Sequence, residues 1–282
     1  MNFEFYNAVS YKVSDLITKN YSTSFSLAIK VFNPELRDGI SSIYGYVRLA
    51  DEIVDSFHDF DKQLLLNELR EETYNAIRNK ISLNPVLQSF QSTVNKYDIS
   101  IEYINNFIDS MEMDLSNSYY ERENYDKYIY GSAEVVGLMC LKVFCYQNNE
   151  LFEKLIDSAK ALGSAFQKVN FLRDMKSDLN ERGRIYLPGA ANTDQINNEG
   201  KSLLEKEIEE EFHSALLGIR QLPKSSRFGV YSAYVYYYML FKKIKNMKVN
   251  DLFKKRVRIS NVTKLALLIR SLIKVKIINA LE

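Results

Sequence analysis

Apolar residues return every three to four positions along most of this chain, and little interrupts them. Only 10 glycines and 4 prolines punctuate 282 residues. Strands need frequent turn residues, so this scarcity restricts the chain to long helices with few breaks. The spacing predicts helices near 4–20, 22–31, 35–58, 61–79, 83–95, 101–115, 124–147, 150–180, 201–220, 224–248 and 261–279. Pro34 suits a helix start, with Asn33 as its cap, and Pro223 with Ser225 and Ser226 opens the 224–248 segment. The stretch 180–200, "NERGRIYLPGAANTDQINNEG", is the one long loop. No repeat, low-complexity linker or domain boundary is visible. The expected fold is all-α, a single domain over 1–282.

Several chemistries begin poorly supplied. Two histidines, His58 and His213, lie far apart, and Cys140 and Cys145 sit inside an apolar run. A zinc site wants three or four nitrogen or sulfur ligands, and Ser-His or Cys-His catalysis wants a supported imidazole. The cysteines are expected to be reduced core residues of a cytosolic protein. The N-terminus, "MNFEFYNAVSYKVSDLI", lacks a cationic-then-apolar targeting pattern. The longest apolar run, "FGVYSAYVYYYMLF" at 228–241, falls short of the ~20 residues that span a bilayer. A cytoplasmic chain, either soluble or peripheral on the inner face of a membrane, is therefore expected.

Two acidic stripes carry the chemistry. In "RLADEIVDSF", 48–57, Asp51 and Asp55 stand at i and i+4 beside Ala50, Ile53 and Val54, with Arg48 one turn before. Such residues share a helix face, and a buried carboxylate is costly unless something cationic meets it. In "QKVNFLRDMKSDLNERGRIYLP", 167–188, Asn170, Asp174 and Asp178 form a second polar line, flanked by Gln167 and Arg173. Magnesium prefers oxygen ligands shared between carboxylates, phosphates and water. Facing stripes of this kind suit two or three such ions around a diphosphate, with Arg48, Arg173 and Arg184 neutralising its remaining charge. Metal and arginine together would stabilise a departing diphosphate and leave an allylic cation. Either stripe alone is equally an acidic solvated face.

Taken together, four ordered blocks resemble the squalene/phytoene synthase family. They are "YSTSFSLAIKVFNPELRDGISSIYGYVRLADEIVD" at 21–55, "YIYGSAEVVGLMCLKVF" at 128–144, "LGSAFQKVNFLRDMKSDLNERGRIYLP" at 162–188 and "YYYMLFKKIKNMKVNDLFKKRVRIS" at 236–260. The resemblance implies an isoprenoid synthase bundle around a central cavity, Mg²⁺ dependence (Mn²⁺ as a substitute) and two prenyl diphosphate substrates. It places metal ligands at Asp51, Asp55, Asn170, Asp174 and Asp178. Diphosphate contacts would come from Ser24, Tyr44, Arg48, Tyr128, Gln167, Arg173 and Arg256, with Tyr237 joining the four aspartates in catalysis. Tyr21 stands where some relatives have His, and it keeps a hydrogen-bond donor. In the implied mechanism one diphosphate ionises and the cation adds to the second substrate's double bond. The resulting cyclopropylcarbinyl diphosphate ionises in turn, rearranges and loses a proton. Small Gly131, Ala133 and Gly137 would leave room for the apolar chains.

Chain length separates two products. Two C20 geranylgeranyl chains give phytoene, with no nicotinamide required, whereas two C15 farnesyl chains give squalene or dehydrosqualene. Ile29, Ser41 and Ser42 are modest in size and leave space for longer chains where they face the cavity. The DEIVD form also leans towards phytoene synthases, and the missing C-terminal membrane segment argues against a eukaryotic-type squalene synthase. Between Lys242 and Lys276 twelve Lys and Arg residues face one acid, Asp251. This tail lacks a nucleic-acid motif. It is read either as a solvated helix face or as a peripheral contact with anionic lipid. Two other readings stay open: a class I terpene cyclase sharing the acidic stripes, and a non-catalytic family member that binds or assembles.

Overall fold

The computed structural model describes residues 2–116, 119–188 and 196–281; side chains at 261 and 276–281, Lys276 included, lie outside the described residues. Helices α1 (Phe3–Tyr21), α2 (Thr23–Lys30) and α3 (Pro34–Asp55) open the chain. The side chains of Asn2 and Ser22 cap α1 and α2 by accepting from Phe5 N–H and Phe25 N–H. Asn33 occupies the N-cap position of α3, yet its side chain makes no capping bond. Its backbone N–H instead donates to the Ser225 carbonyl (3.2 Å), tying the start of α3 to the Pro223 turn. Then follow α4 (Lys62–Asn79), α5 (Pro85–Tyr97) and α6 (Ile101–Ser116).

The expected helix at 124–147 is three pieces: α7 (Arg122–Ile129), one π turn (Tyr130–Glu134) and α8 (Val135–Phe144). Helical periodicity does not register a one-residue insertion, which is how a π turn arises. Gly131 stands on that turn against α6, where an added Cβ would lie 2.4 Å from the Asn106 carbonyl oxygen. Its smallness therefore serves helix packing, and it does not border the cavity as expected; Ala133 and Gly137 do.

Helix α9 (Asn149–Arg182) runs for 34 residues and stops at Gly183, whose φ of +66° is a left-handed helix end that glycine adopts without strain. Gly183 N–H donates to Leu179 O (3.2 Å) and Arg184 N–H to Asp178 O (2.9 Å), turning the chain back towards α3. The expected loop at 180–200 is shorter at both ends, since α9 reaches Arg182 and α10 (Asn198–Ile219) begins at Asn198. Residues 189–195 of that loop lie outside the described residues. The expected 224–248 helix is α11 (Lys224–Lys245); a short α12 (Val249–Leu252) follows it, and α13 (Asn261–Leu281) is the last helix.

One core runs through these helices. Tyr46 stacks on Phe90 at 3.8 Å, packed around by Ile43, Leu66, Leu87, Ile104 and Phe107, all fully buried. Each such side chain contributes about 1.5–3 kcal/mol of burial. Beside this core a cavity of about 690 Å³ lies between α2, α3, α8, α9 and α11, with the segment 256–259 at its rim.

Gly131→Ala is expected to destabilise the protein by about 1–3 kcal/mol, the usual range for overpacking. A urea unfolding midpoint equal to wild type would show that α6 and the π turn are not in close contact.

Candidate active site

Helices α3 and α9 bring the two acidic stripes to one end of the cavity. Arg182, the last residue of α9, spans them: its guanidinium lies 3.2 Å from Asp55 and 2.6 Å from Asp178. Arg184, sent back by the Gly183 turn, pairs with Asp55 at 2.9 Å. On the other side Asp174 is held by Arg173 at 2.5 Å and by Arg256 at 2.6 Å. The backbone N–H of Val257 donates to the Arg173 carbonyl (3.4 Å), which seats Arg256 there.

Where cations do not suffice, the carboxyls are perturbed. Withdrawal from water, with Asp55 adding like charge, pushes Asp51 up to about 7 against the opposing pull of Arg48. Withdrawal from water likewise pushes Asp178 up to about 7, with Arg182 opposing and Asp174 reinforcing. Both carboxyls lack enough positive charge for their burial. Arg48 forms an ion pair with Glu52, lies 3.9 Å from Asp51, and stacks its guanidinium 4.4 Å over Tyr21. Its buried Nε has no hydrogen-bond partner.

Ten of the expected residues line the cavity: Ser24, Tyr44, Arg48, Asp51, Tyr128, Gln167, Asn170, Arg173, Tyr237 and Arg256. Asp55, Asp174 and Asp178 sit just behind, covered by their arginines. Tyr237 stacks on Phe166 at 3.9 Å and donates to Asn170 Oδ1 (3.3 Å), while Asn170 donates to Gln167 (3.3 Å). Burial pushes the Tyr44 hydroxyl up to about 12, so it stays a protonated donor at neutral pH. Of the three residues expected to set chain length, only Ile29 borders the cavity. Ser41 is buried elsewhere, and the Ser42 hydroxyl is spent on Gly39 O and on Thr93 of α5 (2.6 Å).

Sequence reasoning missed Asp114. This buried carboxylate accepts from Tyr120 (2.7 Å), Tyr128 (2.7 Å) and Tyr186 (2.8 Å), and lies 3.5 Å from Arg184. Burial raises its pKa, and Arg184 followed by the three hydroxyls pulls it back. Arg184 is therefore fixed between Asp114 and Asp55, behind the hollow, and does not face it as a phosphate ligand. The signal was present: Asp114 continues the apolar stripe of Ile104, Phe107 and Met111, which raises the same question as Asp51.

The donor set suits a divalent cation. Among the described residues no three His, Cys, Asp or Glu side chains converge on one point. Magnesium, however, takes one or two carboxylates and completes its octahedron with water and phosphate oxygens. Separate hard-oxygen groups on facing helices, two of them short of positive charge, match that habit better than a closed cage would.

Comparison with known proteins identifies relatives of this chain. Residues 18–263 match the family described as squalene/phytoene synthase. The chain is 30% identical over 274 residues to a chloroplastic phytoene synthase of Narcissus pseudonarcissus, covering 89% of this chain and 63% of that one. It is 28% identical over 268 residues to chloroplastic phytoene synthase 1 of Solanum lycopersicum, covering 88% and 64%. The chain thus spans just under two thirds of the length of these relatives. Its fold matches a crystal structure of a dehydrosqualene synthase with TM-score 0.81 at 21% identity, covering 97% and 99% of the two chains. It also matches squalene synthase HpnC from Alicyclobacillus acidocaldarius with TM-score 0.72 at 21% identity, covering 85% and 94%. The fold is the all-α isoprenoid synthase class, and the chain belongs to the squalene/phytoene synthase family.

Proposed function

We propose that the protein is a Mg²⁺-dependent prenyltransferase that joins two geranylgeranyl diphosphates head to head, giving 15-cis-phytoene through a cyclopropylcarbinyl diphosphate. The single observation that carries this reading is the pairing of two facing carboxylate stripes, bridged by Arg182, with one mostly apolar cavity. Asp51, Asp55, Asn170, Asp174 and Asp178 would hold the ions, with Mn²⁺ as a substitute. Bound magnesium supplies the Lewis-acid pull on a departing diphosphate.

The chain's own residues do the rest. Arg48 offers its unpartnered Nε, and Arg173 and Arg256 turn to the same hollow, so a diphosphate gains charge-assisted hydrogen bonds there. Ser24, Tyr44 and Gln167 add neutral donors at the rim. Tyr128 is pinned by Asp114 and keeps its ring at the cavity wall. Tyr237 orients Asn170 and presents a ring face to cationic carbon, worth about 0.5–2 kcal/mol. Farther in, Ile29, Phe32, Val136, Leu141, Phe144 and Leu155 line a wall that cannot capture a carbocation. No nicotinamide is needed for a phytoene product. The relatives' names support the C20 substrate. With Ser41 and Ser42 away from the cavity, the size argument rests on Ile29 alone, and a C30 product from farnesyl diphosphate is the second reading.

Incubation with geranylgeranyl diphosphate and Mg²⁺, analysed by mass spectrometry, should yield a C40 triene-bearing hydrocarbon. A cyclic C20 product would instead indicate a terpene cyclase, and a C30 product confined to farnesyl diphosphate would indicate the shorter-chain enzyme. Chelation with EDTA should stop turnover, and added Mg²⁺ should restore it; full activity in EDTA would contradict the site. Asp51→Asn and Asp174→Asn should each lower kcat by at least about 10²-fold, as loss of one electrostatic contact to a transition state does. Their far-ultraviolet circular dichroism should match wild type, and near-normal turnover in either would remove these residues from the site.

A further inference from the structure

The basic tail divides once its contacts are known. Lys245 is paired with Glu209, Lys254 with Asp251 and Arg256 with Asp174, while Arg258 and Lys264 line the cavity rim. Lys243 donates to the Arg258 carbonyl (2.7 Å) and Lys242 rests over the Tyr238 ring, and helix α13 adds an outward apolar stripe to its charge. Its inner face is seated through Leu267, Ser271 and Val275. The opposite face presents Val262, Leu265, Ile269, Leu272 and Ile273, between 39% and 80% exposed, within roughly 100° of arc. Soluble helices ordinarily turn such a stripe inward.

Charge selects what covers it. Residues 261–281 contain Lys264, Arg270, Lys274 and Lys276 and no acid. Among the described residues Arg270 and Lys274 have no carboxylate partner; Lys274 only rests over the Tyr231 ring. Pairing this face with itself in a second copy would bring like charges together. An anionic lipid surface accepts both the apolar stripe and its cationic flank. No helix among the described residues is long and apolar enough to cross a membrane, so α13 can lie on a bilayer without spanning it.

Position adds a reason for docking here. Lys264, in the first turn of α13 and on its inner face, lines the cavity and donates to Thr23 Oγ1 (3.0 Å), so the start of the helix stands at the cavity rim. Arg256, Arg258 and Ile259 form the same rim. We propose that α13 lies in the interface of an anionic phospholipid membrane, apolar stripe towards the lipid, and so holds the cavity rim close to the bilayer surface. The use of that rim, taking a lipid diphosphate from the membrane and returning a hydrocarbon to it, rests on the function proposed above. The docking itself does not.

Flotation of the full chain with phosphatidylcholine vesicles, with and without phosphatidylglycerol, tests this. Binding is expected only to the anionic vesicles, falling as salt is raised. The double variant Leu265→Asp/Ile269→Asp should bind at least about tenfold more weakly. Both sites are exposed, so its circular dichroism and thermal unfolding should match wild type. Its turnover in detergent micelles should also be unchanged, because neither residue borders the cavity. Absence of wild-type flotation, or equal flotation by the variant, overturns the proposal. So does light scattering that shows a dimer in wild type and a monomer in the variant, since that assigns the stripe to self-association. Flotation without turnover on any prenyl diphosphate would leave the docking standing and sink the proposed reaction.

Discussion

Carboxylates on opposed helices cannot approach one another in a partly dry cleft without cations between them. At about 4 Å two unit charges repel by about 4 kcal/mol under the effective dielectric of such a site. Here the opposition is met by arginine: Arg182 joins Asp55 to Asp178, Arg184 joins Asp55 to Asp114, and Arg173 with Arg256 covers Asp174. The guanidinium groups keep α3 and α9 facing each other before any ligand arrives. They compensate the site incompletely, because Asp51 and Asp178 remain pushed up to about 7. The remaining demand for positive charge is what a divalent ion carrying diphosphate would satisfy.

Backbone geometry delivers those arginines. Gly183 ends α9 in a left-handed turn, so Arg182 and Arg184, on either side of it, both reach Asp55. The π turn at Tyr130–Glu134 joins the helix that carries Tyr128, hydrogen-bonded to Asp114, to the one that carries Gly137 and Cys140 along the cavity wall. Asp114 thereby couples three tyrosines to the arginine that steadies a candidate metal ligand. Removing its charge would act on Asp55 through Arg184 and would also release Tyr128 at the cavity wall.

The all-α class and both stripes were legible because they rest on local periodicity: i and i+4 share a face whatever the tertiary structure. Ten of the thirteen expected site residues border one cavity, and the other three stand behind it under arginine. What depends on packing was not legible. Ser41 and Ser42 have a suitable size, but only the fold decides that Ser42 turns to Thr93 of α5. Gly131 reads as free volume until the Asn106 carbonyl is placed 2.4 Å from where its Cβ would stand. Arg184 reads as a phosphate ligand until Asp114, a lone acid in an apolar stripe, claims it. The tail's charge was visible as a count, whereas the split between rim, ion pairs and the outward face of α13 needed the fold.

Calorimetric titration with inorganic diphosphate addresses the central claim most directly, because it asks for neither chemistry nor a lipid chain. If facing carboxylates and arginines form one metal-diphosphate site, binding should be strong with Mg²⁺ present and at least about 10²-fold weaker in its absence. Equal affinity with and without the metal would mean that the arginines alone hold the anion, and that the acidic stripes serve only to position them.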